Sequence, residues 1–186
     1  MIGPYAIHGH AIVSADHRIA GADGRVPTSL RNDADWARFQ AALDAAVVTV
    51  LGRVGHEANP NPKGRNRLVL SASARGVERR QDATWWNPAA APVAEALRAA
   101  APAGGVAAVV GGRRVFDLFL EIGFDQFHLV RAARVRLPDG VAIFSGIESG
   151  RTAEAILAAH GLAAGRRERL DANADVSLVV WSARPA

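Results

Sequence analysis

Two short β-branched apolar runs, Val47–Leu51 and Val106–Val110, each stop at glycine followed by arginine, and this constrains the fold more than anything else in the chain. Runs of this length without hydrophobic–polar alternation predict strands covered on both faces, as in a parallel sheet with helices above and below. The second run continues as Val110-Gly111-Gly112-Arg113-Arg114-Val115-Phe116, where a helix is predicted from about Arg113 to Glu121. A strand that ends in two glycines and enters a helix presents unpaired backbone N–H groups and a positive dipole end, and glycine lets an anion approach the main chain closely. The first run ends as Leu51-Gly52-Arg53, so two strand ends offer two cradles, with arginine suited to hold phosphate in a bidentate fork.

The remaining elements alternate in the same way. A first strand is predicted over Ala6–Val13, then a glycine-rich loop from Ser14 to Ser29. A helix capped by Asn32 or Asp33 runs to about Ala45, with Trp36, Phe39, Gln40 and Leu43 at helical spacing. Asn59–Gly64 reads as a loop, Arg67–Leu70 and Thr84–Trp86 as short strands, and Pro88–Ala100 as a helix with Pro88 in its first turn. Phe127–Val130 is a further strand and Thr152–His160 a short helix. Arg166–Leu170 and Val176–Ser182 form a closing antiparallel hairpin. The expectation is a single α/β domain over residues 1–186 with a mixed, mainly parallel sheet.

Composition narrows the classes of function. The sequence pI of about 10.8 accompanies a net charge of only +4, because Lys63 is the only lysine and there is one tyrosine and no cysteine. Few groups titrate between histidine and arginine, so a small excess of arginine carries the pI upward; weak anion affinity is implied rather than a nucleic-acid surface. Without cysteine there are no disulfides or thiolate metal sites, and no apolar run reaches membrane-spanning length. The N-terminal apolar stretch is broken by His8 and His10 and has no basic leader, so a soluble cytoplasmic protein is expected. His8 and His10 share one face of the first strand, a ligand-like arrangement, but no third ligand is evident and no metal is expected. Trp85 and Trp86 read as packing residues, and Arg79-Arg80 and Arg166-Arg167 as solvated charge clusters. His56 reads either as a neighbour of a bound phosphate or as a surface residue.

In order and approximate spacing, Leu51-Gly52-Arg53, Asn59–Ser73, Thr84-Trp85 and Val110–Phe116 resemble the segments of dihydrofolate reductases. Ser14–Gly24 and Leu137–Gly146 look more like the reductase domain of bacterial riboflavin biosynthesis, which has the same three-layer α/β/α fold. The resemblance implies an NADPH-dependent reductase acting on a pterin- or pyrimidine-type heterocycle. The alternatives are a true dihydrofolate reductase or a catalytically degenerate NADPH binder. It further implies that Gly52, Arg53, Gly111, Gly112, Arg113 and Arg114 surround the cofactor phosphates, commonly with a cis peptide at the double glycine. Ser71, Ser73 and Arg75 fall where the adenosine end and its 2′-phosphate would sit. Asp35 matches the acid that assists substrate protonation, and Arg65 the arginine that binds the folate carboxylate. The sequence departs on the substrate side, where Thr28 stands in place of a tryptophan and Val130 in place of a threonine. The riboflavin-pathway relatives suggest a homodimer.

Overall fold

The computed structural model describes residues 2–184. Its backbone is a nine-stranded sheet built from β1 (Tyr5–Ser14), β3 (Val48–Gly52), β4 (Arg67–Leu70), β5 (Val77–Arg79), β6 (Thr84–Trp86), β7 (Gly105–Val109), β8 (Gln126–Ala132), β10 (Leu162–Asp171) and β11 (Val176–Ala183). The order is β10-β11-β8-β1-β7-β3-β4-β6-β5. All pairings from β8 through β6 are parallel, and the antiparallel ones lie at the two edges. Two further strands, β2 (Arg18–Ala20) and β9 (Val141–Ala142), form a small ribbon of their own.

Five helices cover the sheet: α1 (Asp33–Ala45), α2 (Arg53–Ala58), α3 (Val93–Ala100), α4 (Arg113–Ile122) and α5 (Ala153–Ala159). The larger core lies on the side of α3, α4 and α5, where Phe116, Phe119, Phe124, Phe127 and Phe144 pack edge to face or tilted. Gly9 is in β1 because this cluster leaves no room: a β-carbon there would sit 2.3 Å from Phe127 Cδ2. The opposite face is covered more thinly by α1, of which only Leu43 is buried. Leu30 joins Val130 and Leu178 there in a small separate cluster.

Most predicted elements are present, and the differences have local causes. The helix expected from Pro88 starts at Val93, with Pro92 at its N-cap. Proline disfavours helical backbone in the residue before it, and Asn87 instead closes a turn through Ala89, Ala90 and Ala91. Trp36 does not join the core but is 59% exposed. The segment after Gly52, to which the sequence assigned no element, forms a six-residue helix. Half of the loop from Ser14 to Ser29 is held in place. β2 pairs with β9, Asp16 accepts from Leu137 N–H, and Ile143 N–H donates to the His17 carbonyl. The two stretches that resemble the riboflavin-pathway reductase therefore pack on each other. Only the tip from Ala22 to Val26 is exposed throughout. No helix among the described residues is long and apolar enough to cross a membrane.

Candidate active site

The carboxyl ends of β7, β3 and β4 are adjacent, so their terminal residues meet. Gly52 pairs with Leu70, just before Ser71, and Gly52 N–H donates to the Gly111 carbonyl at 3.2 Å. The two glycine turns thus form one continuous rim. Gly111 has φ +112°, a region that side chains avoid, and a β-carbon there would meet the Phe116 ring at 3.0 Å. Gly112 is the N-cap of α4 and has no side chain with which to satisfy the first helical N–H groups. A β-carbon on Gly112 would meet nothing within 4 Å, so the space in front of this helix end is open to a ligand. The peptide between the two glycines is trans, a correction to the cis bond implied by the resemblance, since no cis peptide occurs among the described residues.

Charged groups surround this rim unevenly. Arg53 lies exposed at the start of α2 and pairs with Glu57 one turn on. Arg113 approaches Glu148 at 3.7 Å, while Arg114 is exposed. Arg18 of β2 was absent from the predicted site, yet it bonds Glu148 at 2.7 Å and so stands beside Arg113. Its Nε is buried and has no hydrogen-bond partner among the described residues. An orphaned guanidinium N–H and an open helix N-terminus both fit a phosphate-bearing group. Ser71 is buried, its hydroxyl 2.8 Å from that of Ser73, and Arg75 is exposed two residues beyond. These residues continue the same edge outward along β4.

Across the sheet, Asp35 sits in the first turn of α1, half-buried, with its N–H donating to the capping Asn32 side chain. Its carboxyl makes no hydrogen bond to a described residue, and burial pushes its pKa up to about 6 against the opposing pull of Arg38. Val130 is buried below α1, between Ile12 and Leu178 on the flanking strands, and gives Asp35 no hydroxyl. Thr28 is exposed in the short 3-10 turn that leads into α1. Arg65 lies toward the other end of α1, nine residues or about 13 Å along the axis, and its guanidinium is engaged by Asp44 and by the Gln40 side chain. His56 is locked between Asp82 and Arg67, and Trp85 and Trp86 are buried as expected. A separate hollow of about 280 Å³ lies on the α5 face, where Arg131 and Glu154 neutralise each other. None of the strand-end glycines lines it.

No protein-family model matches the sequence, and no curated protein matches it. Solved structures do match in fold. Dihydrofolate reductase from Enterococcus faecalis complexed with NADP(H) and RAB-propyl is similar with a TM-score of 0.65 at 17% identity, over 95% of each chain. A Shewanella sp. PV-4 protein provisionally named for riboflavin biosynthesis gives the same TM-score and identity, over 97% of this chain and 99% of its own. The Thermotoga maritima diaminohydroxyphosphoribosylaminopyrimidine deaminase/5-amino-6-(5-phosphoribosylamino)uracil reductase gives 0.65 at 14% identity, with 97% of this chain covering 57% of that one. Strand order, glycine-lined sheet edge and these likenesses agree that the chain has the dihydrofolate-reductase-like fold.

Proposed function

We propose that the chain is an NADPH-dependent reductase of pyrimidine- or pterin-type heterocycles, nearer to the riboflavin-pathway reductases than to folate enzymes. The observation that carries this reading is the continuous rim of Gly52 and Gly111-Gly112 in front of an uncapped helix, with Arg113 and Arg18 sharing Glu148 next to that helix start. Gly112, Arg113 and Arg18 would hold the diphosphate, with Arg53 at the second turn and Ser71, Ser73 and Arg75 at the adenosine end. The nicotinamide would supply hydride when bound.

The chain's own residues provide the rest. Val26, Trp36 and Val54 are the exposed large hydrophobic residues among those described. They stand on the loop after β1, the first turn of α1 and the first turn of α2, segments that each follow the carboxyl end of a strand, and would offer apolar surface to a flat ring. Asp35 retains a proton closer to neutrality than an ordinary carboxyl and can donate it to a ring nitrogen as hydride reaches the neighbouring carbon. Arg65 already donates through Nε and one terminal nitrogen to Asp44 and Gln40, an engagement that a folate carboxylate would have to share or displace, which favours the pyrimidine branch.

Gly112→Ala tests the cradle. The new methyl group meets no protein atom, so the fold is expected to survive and NADPH affinity to fall at least about tenfold, a loss of about 1.4 kcal/mol. Gly76→Ala, equally uncrowded and on the β4–β5 turn, should bind normally. Unchanged NADPH affinity in folded Gly112→Ala, measured calorimetrically, would remove the assignment. NADPH binding without turnover of any phosphoribosyl-pyrimidine, pterin or dihydrofolate would leave the non-catalytic binder standing.

A further inference from the structure

β1 and β8 run parallel with His10 directly opposite His128, and His8 lies two residues before His10 on the same face. The third imidazole that the sequence of β1 lacks is therefore supplied from 118 residues away by strand register. One ring nitrogen from each of His8, His10 and His128 lies within 4.8 Å of the others. The rings of His10 and His128 stack at 4.5 Å, and His8 and His128 are 6.0 Å apart.

One further feature sets this cluster apart from three incidental histidines. His10 is only 8% exposed and His8 and His128 are half-buried, and none of the three rings makes a hydrogen bond to another described residue, which leaves their nitrogens free for a ligand.

We propose that His8, His10 and His128 form a binding site for a divalent transition-metal cation, with Zn2+ the best match to an all-imidazole donor set. Tetrahedral zinc with Zn–N bonds of about 2.0–2.1 Å would draw the three nitrogens to about 3.3 Å apart. The half-buried His8 and His128 rings would have to move by about 1.5 Å to reach that spacing. Three ligands leave a fourth position for water or for a ligand oxygen or nitrogen. The site lies under α1, where Phe39 meets His10 edge-on one turn after Asp35. The charged groups facing it are Arg38 from α1 and Asp125 on the His8 side, and among the described residues no acidic side chain joins the cluster. This inference does not depend on the reductase reading, since none of the three histidines belongs to the glycine rim.

Titration of the untagged chain with Co2+, read by its visible absorption and competed with Zn2+, tests the site. One equivalent should bind with the intense spectrum of four-coordinate cobalt. His128→Ala and His8→Ala should each weaken binding about 100-fold or more, since ligands matter more than the outer-shell groups whose loss costs 10–100-fold. The double control His56→Ala/His160→Ala should leave it unchanged. Should the variants fail to fold, the wild-type protein decides alone: diamagnetic Zn2+ must displace the ring proton resonances of three of the six histidines and spare the rest. No cobalt spectrum, a variant that binds as tightly as wild type, or displacement of a different set of histidines would overturn the proposal.

Discussion

Asp35 illustrates how one residue carries opposed demands. A carboxyl whose folded pKa is raised to about 6 binds more protons in the native than in the unfolded chain between its ordinary value of 3.8 and 6. Stability is therefore lost as pH rises through that window, and the loss is complete above it. Asp35→Asn should stabilise the protein at pH 7 by about 1–2 kcal/mol after allowance for partial solvent screening, and flatten the stability profile between pH 4 and 6. Urea unfolding at several pH values checks this, and turnover of the substrate should fall in the same variant. At the other end of the cleft, Arg75→Ala should reduce the preference for NADPH over NADH by about tenfold, through loss of a charge-assisted contact worth about 1.5–3 kcal/mol. Equal NADPH and NADH affinities in the wild-type protein, by calorimetry, would remove the 2′-phosphate assignment.

At the scale of elements, β1 is the strand on which both faces depend. Its small Gly9 admits the phenylalanine cluster on one side, and its histidines face α1 on the other. Gly9→Ala places a methyl carbon within 2.5 Å of two Phe127 ring atoms, so overpacking should destabilise the fold by about 1–3 kcal/mol, measured by chemical denaturation. The elements were legible in the sequence where pattern alone decides them: β3 and β7 from their β-branched runs, α1 from its Asn32 cap, the closing hairpin from its turn residues. The start of α3 was not, because two prolines four residues apart both suit a first turn and only the Asn87 turn selects between them. Gly52 and Gly111 were legible as strand ends, but that they touch is a property of strand order. Arg18 and His128 lay beyond reach for the same reason: one reaches the rim through Glu148, the other meets His10 through parallel register. Residues that join a site from distant chain positions leave no local signal.

At the scale of the whole molecule, the high pI reflects scarce titratable groups, and about a third of the arginines are already paired with carboxylates. Binding to duplex DNA should accordingly be weak and vanish by physiological salt, which fluorescence anisotropy across a salt series would check. The ribbon of β2 and β9 has a separate consequence for how the molecule meets a protease. Trypsin has three targets close together after β1, namely Arg18, Arg25 and Arg31. Arg18 is fixed in the ribbon with its guanidinium bonded to the Gly140 carbonyl, and Arg31 closes the 3-10 turn with its N–H on the Thr28 carbonyl. Arg25 stands in the exposed tip. Limited digestion should therefore cut first after Arg25 and leave two fragments that stay together, because the sheet spans the nick. A ligand seated beneath that tip would slow this one cleavage and no other, so the rate of a single scission becomes a gauge of occupancy that needs neither turnover nor a known substrate.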